Sequence, residues 1–135
     1  MSDNGFVGLV IVSHSAPLAQ GLADLVTQVA GSDVAVEAIG GGPGDTLGTD
    51  GGRVLEALRR GAQGSGSVVL MDLGSSVLAV KAALGELDED ERGRLRVADA
   101  PLVEGAIAAG VMASTGDDAD GVARAAEEAR HARKL

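Results

Sequence analysis

Hydrophobic residues in this chain fall into short unbroken blocks, separated by longer stretches in which they recur every three or four positions. Phe6 to Val12 is the first block. It ends abruptly in Ser13-His14-Ser15-Ala16-Pro17, the pattern of a buried parallel strand running into a loop. The next stretch, Leu18 to Ala30, sets Leu18, Leu22, Leu25, Val26 and Val29 at helical spacing, with Pro17 near the first turn and Gly31 just past the end. Val34 to Ile39 predicts a second strand. After it, Gly40 to Gly52 is a glycine-rich loop that ends in Thr49-Asp50 and opens a helix from about Gly52 to Arg60. Ser67 to Met71 predicts a third strand, running into Asp72-Leu73-Gly74-Ser75-Ser76 and then a helix through Val77, Val80, Lys81 and Leu84. The charge run Glu86 to Arg96 reads as a solvated connector. Leu95 to Ala98 is a short fourth strand before Pro101, and helices over about Leu102 to Ser114 and Asp118 to Arg133 close the chain. The last helix carries its acidic residues early and its basic ones late, as the helix dipole prefers.

Strands alternating with helices specify an α/β fold: an open, mostly parallel sheet with helices on both faces. A length of 135 residues suits one core, so residues 1–135 are expected to form a single domain. In the usual small doubly wound order, 2-1-3-4, the first and third strands flank the switch point, beyond whose carboxyl ends ligands bind. His14 and Asp72 then face each other, each just before a helix start that offers unpaired amides to an anion. A carboxylate accepting from one imidazole nitrogen fixes the tautomer and frees the other to attack, so Asp72 is expected to orient and His14 to act as nucleophile toward phosphorus. Ser15, Thr49 and Ser75 are expected, from position alone, to bind the equatorial phosphoryl oxygens. Residue type by itself also allows His14 to be an ordinary loop residue and Asp72 a helix cap, although Ser75 and Ser76 are better placed to cap.

Composition narrows the field of partners. Apolar residues make up 45% of the chain but include one Phe and neither Trp nor Tyr, which removes the aromatic platforms that hold single-stranded nucleic acid. A formal charge of −9 repels a phosphate backbone and favours a protein partner with a basic face. Without cysteine there is no disulfide, thiolate metal site or thiol nucleophile. The two histidines, His14 and His131, are far apart and lie outside any carboxylate cluster of ligand spacing, so neither a metal nor a cofactor is expected. His131, among Arg130, Arg133 and Lys134, reads as decoration of an exposed helix. Gly40 to Gly44 lacks the Gly-Lys-Ser/Thr ending of a nucleotide-binding loop and reads as flexible. No basic start of a secretory signal is present and no apolar run approaches about 20 residues, so the expectation is a cytoplasmic protein without a membrane segment.

Four ordered segments carry a family resemblance: Val10-Ile11-Val12-Ser13-His14-Ser15, Leu47-Gly48-Thr49-Asp50, Met71-Asp72-Leu73-Gly74-Ser75-Ser76 and Ala100-Pro101-Leu102-Val103-Glu104-Gly105. Together they resemble the DhaM family, the phosphotransferase subunits of dihydroxyacetone kinase, related to mannose-type enzyme IIA; the likeness extends from Phe6 to about Ala126. It implies a mannose-type IIA-like fold, usually a homodimer, that accepts a phosphoryl group from HPr on His14 with Asp72 as its partner. The group then passes to ADP bound on the DhaL subunit, which phosphorylates dihydroxyacetone held by DhaK. Some members continue into fused phosphocarrier domains, whereas this sequence ends at Leu135, so its donor is expected to be a separate protein. The rival expectations are a mannose-type IIA component of a sugar transport phosphotransferase system and a non-catalytic anion-binding regulatory module. A serine hydrolase built on Ser13 or Ser15 with His14 is disfavoured, because adjacent residues at a strand end point in different directions.

Overall fold

The computed structural model describes residues 4–42 and 46–135. Four strands, β1 (Gly8–Ser13), β2 (Val36–Gly40), β3 (Ser67–Met71) and β4 (Leu95–Val97), form one sheet in the order β2-β1-β3-β4. Every pairing is parallel, so the expected topology and order are both found. The described helices are α1 (Ala16–Ala30), α2 (Gly51–Gly61), α3 (Gly74–Glu86), α4 (Glu89–Gly93), α5 (Leu102–Ser114) and α6 (Ala119–Glu128). Among the described residues no helix is long and apolar enough to cross a membrane.

The unbroken apolar block of β1 has a direct structural cause. Successive strand side chains point to opposite faces, and both faces are covered. Leu9 and Ile11, with Val68 and Leu70 of β3, pack against Leu22 and Val26 of α1, Ala106 and Ala109 of α5 and Val122 of α6. Val10 and Val12, with Val69, pack on the other side against Val54 and Leu58 of α2 and Val80 of α3. Each fully buried Val or Leu contributes about 1.5–3 kcal/mol of transfer free energy, so these two clusters hold the helices onto the sheet and fix where their N-termini point. Small residues let the helices approach closely: a Cβ added at Gly110 would lie 2.6 Å from Val26 Cγ1, at the crossing of α5 over α1.

The chain departs from the sequence pattern in four places. The charge run is not wholly a connector, because Asp88 and Glu91 cap each other's backbone in a reciprocal box and wind Glu89–Gly93 into α4. The closing helix is shorter than expected; α6 ends at Glu128 and tightens into a 3₁₀ turn, Ala129–His131, with His131 exposed. On α1 the buried face runs through Ala19, Leu22, Ala23 and Val26, which leaves Leu18, Leu25 and Val29 about half exposed. Helix α3 begins at Gly74 behind Leu73 with no side-chain cap, so Ser75 and Ser76 lie in its first turn and are free for other partners. Of the loop expected over Gly40 to Gly52, and of the glycine run Gly40 to Gly44, residues 43–45 lie outside the described residues.

Candidate functional site

Strand register brings the site together. Val12 pairs with Met71, and the ladder continues one step as the Asp72 N–H donates to Val12 O at 3.3 Å, so His14 and Asp72 leave the same edge of the sheet side by side. Ser13 pairs with Gly40 on the other flank. Beyond this edge three helices begin. Ser15 caps α1 by accepting from the Leu18 N–H, and Asp50 caps α2 by accepting from the Gly52 and Arg53 N–H groups. Gly48, with φ of +131°, donates its N–H to His14 O at 2.9 Å and thereby places Thr49 beside the histidine loop.

Asp72 is the most heavily engaged group at this edge. Its Oδ1 accepts from the N–H groups of His14 at 3.1 Å and Leu73 at 2.6 Å and from the Ser76 hydroxyl at 2.8 Å. Its Oδ2 accepts from the Ser13 hydroxyl at 2.6 Å and again from the His14 N–H at 3.0 Å. In place of the ring contact expected from the sequence, the carboxylate therefore grips the histidine's main chain. The reason is stagger: Asp72 sits level with the His14 peptide, and its short side chain is fully used by donors there. Burial alone would raise the Asp72 carboxyl, but donation from Ser13, Ser76, Leu73 and His14 outweighs it and holds the group below its ordinary value.

The half-buried imidazole meets a different partner, with His14 Nδ1 lying 3.0 Å from Ser75 Oγ. Ser75 Oγ is in turn 3.1 Å from Thr49 Oγ1, which is 3.4 Å from Ser76 Oγ. His14 Nε2 makes no hydrogen bond among the described residues. Of the three hydroxyls expected around a phosphoryl group, Thr49 and Ser75 belong to the ring's own network, whereas the Ser15 hydroxyl is committed to the α1 cap and its N–H donates to Ser13 Oγ at 3.0 Å. Sequence reasoning missed two members. Ser13, read as loop, is the last residue of β1, wholly buried and bridging Asp72 to Ser15. Ser76, read as a cap, is buried four residues after Asp72, and that helical spacing was the available signal. Among the described residues no cluster of three or more His, Asp or Glu could hold a metal ion.

Gly40 fixes how closely β2 approaches the histidine loop. A Cβ there would lie 2.5 Å from Ser15 O and 2.7 Å from Ala16 Cα, both backbone atoms that cannot swing away. Gly40→Ala is therefore expected to push the Ser15–Ala16 segment outward and destabilise the fold by about 1–3 kcal/mol, read as a lowered urea midpoint. An unchanged midpoint would mean that the segment yields freely.

An imidazole with Nδ1 3.0 Å from a hydroxyl and the other nitrogen open, near helix N-termini, has the form needed to take an anion. Residues 8–123 match the family model described as PTS system fructose IIA component, EIIA-man. The chain is 41% identical over 119 residues to the PEP-dependent dihydroxyacetone kinase phosphoryl donor subunit DhaM of Escherichia coli, covering 86% of this chain but 25% of that protein. It thus spans about a quarter of the length of that longer relative. It is also 30% identical over 106 residues to the corresponding subunit of dihydroxyacetone kinase 2 of Listeria innocua, covering 78% of this chain and 85% of that one. A crystal structure of a protein of unknown function superposes with a TM-score of 0.81 at 28% identity, covering 90% of this chain and 92% of the other.

Proposed function

Because this chain belongs to the mannose-type enzyme IIA family, the PTS fructose IIA components, we propose that it is a phosphohistidine carrier of a dihydroxyacetone kinase system. In this reading it accepts a phosphoryl group from HPr on Nε2 of His14 and delivers it to ADP bound on a DhaL subunit, with DhaK downstream. The observation that carries the reading is the asymmetry of the ring: Nδ1 is engaged by Ser75 Oγ at 3.0 Å, while Nε2 is open at the helix-rich edge.

As the Nε2–P bond forms, the N–P bond of the donor's phosphohistidine breaks and its electron pair returns to the donor ring. The His14 ring becomes cationic and keeps the proton on Nδ1. Delivery reverses this, as a terminal oxygen of ADP attacks phosphorus and the N–P pair returns to Nε2. Little covalent chemistry is left to the protein, so its contribution is positioning and electrostatics. The first-turn amides of α3 have no helical acceptors and suit the equatorial oxygens. The names carried by the relatives favour the kinase over a sugar transporter as acceptor system. In the same reading the protein acts in the cytoplasm, where HPr and ADP are at hand. The apolar stripe of Leu18, Leu25 and Val29 along α1 supports the homodimer that the resemblance implies.

The test is to incubate the protein with phosphoenolpyruvate, enzyme I and HPr, then with DhaL and ADP. The expected result is one acid-labile, alkali-stable phosphoryl group on Nε2, discharged by DhaL with ADP. Discharge by a IIB domain instead would assign the protein to sugar transport. No label, with donors active on another acceptor, would leave the anion-binding module as the reading.

A further inference from the structure

We infer that Asp72 acts on the His14 ring from a distance, through a one-way chain of three hydroxyls, Ser76, Thr49 and Ser75, that holds the proton on Nδ1 and keeps the lone pair on Nε2. The inference rests on the carrier reading for its catalytic consequence and on hydrogen-bond accounting for its direction. An ionised carboxylate only accepts, and each hydroxyl has one proton to give. The Ser76 hydroxyl spends its proton on Asp72 Oδ1 at 2.8 Å, so it can only accept from Thr49 at 3.4 Å. Thr49 spends its proton on Ser76, so it must accept from Ser75 at 3.1 Å. Ser75 then has only a lone pair to offer His14 Nδ1 at 3.0 Å, and that nitrogen must carry the hydrogen. With Nδ1 protonated, the neutral ring has its lone pair on Nε2, the nitrogen left without a partner.

The arrangement explains why one carboxylate serves both halves of the residue. It grips the His14 peptide directly, at 3.0 Å from Oδ2, which sets where the ring stands, and it fixes the ring's tautomer through the hydroxyls. Ser76, Thr49 and Ser75 are thus positioning residues, acting through the imidazole. Breaking any link would let the ring exchange into the Nε2–H form, which has no nucleophilic pair at the open position.

The tautomer can be read from the ¹⁵N shifts of the His14 ring, above the pH at which the ring is protonated and without any donor protein. The wild type is expected to show Nδ1–H. Thr49→Val, close in shape to threonine, and Ser76→Ala are expected to populate Nε2–H and to lower the rate of phosphorylation by HPr by about tenfold to a hundredfold. Thr49→Ser, which restores the hydroxyl, should recover both the shift pattern and the rate; a merely structural role for Thr49 would not move the tautomer. A wild-type ring protonated on Nε2, or Thr49→Val and Ser76→Ala rings still protonated on Nδ1 with full rates, would overturn the relay. A wild-type Nδ1–H ring that takes no label would instead overturn the carrier reading, and the relay's catalytic role with it.

Discussion

Replacing His14 by glutamine is expected to remove phosphoryl acceptance altogether while leaving the fold intact. The two backbone links of this residue, its N–H to Asp72 and its carbonyl to the Gly48 N–H, do not depend on the side chain. The unfolding free energy in urea should therefore stay within about 0.5 kcal/mol of wild type. The glutamine amide has no nucleophilic nitrogen pair, so phosphoenolpyruvate, enzyme I and HPr should leave no label detectable by intact mass. Persistent label would have to be sought on His131, the other histidine of the chain, and would remove His14 from the mechanism.

Asp72→Ala is expected to damage both stability and transfer. It strips the acceptor from two backbone N–H groups and two hydroxyls at once. Ser13 is wholly buried, so water cannot take over there, whereas the exposed Leu73 can be rescued by solvent. A buried group left unsatisfied costs about 1–3 kcal/mol, and the variant should lose about 2–4 kcal/mol in urea unfolding. Its rate of labelling should fall on the order of a hundredfold, the scale on which a reacting group displaced by an ångström loses rate. The pH dependence has a definite sign. The folded-state carboxyl lies below its ordinary value, so its stabilisation is present above the unfolded value of about 3.9 and is lost as pH falls through the folded one. The midpoint gap between wild type and Asp72→Ala should thus be constant near neutrality and shrink below about pH 4. A gap that persists in acid would mean that shape rather than charge is the contribution of this residue.

The architecture was legible because the two periods of the pattern are clean. Apolar blocks such as Phe6 to Val12 fit a strand buried on both faces, and the α/β alternation then limits the sheet order. Helix α4 was hidden because its capping pair, Asp88 and Glu91, sits in a run where acidic residues carry no contrast. The edge of the sheet where His14 and Asp72 meet was also legible, but the atoms that meet were not. Whether a carboxylate touches a ring or the peptide beneath it depends on a stagger of about one residue between neighbouring strands, and sequence spacing does not encode it. Ser13 was missed for a related reason, since a polar residue closing an apolar block looks like the start of a loop until the sheet shows it pointing inward.

The site is assembled from residues 13–15, 48–49 and 72–76, and its central hydrogen bond, from His14 to Asp72, joins positions 58 apart in the chain. Contacts of such separation form late in folding, because a long loop must be closed before they return any stability. The segment carrying β1, α1 and β2 holds the histidine but neither Asp72 nor Ser75. On the carrier reading, a chain still emerging from the ribosome, or one cut before β3, is therefore expected to draw no phosphoryl groups from a donor until a finished molecule is there to pass them on.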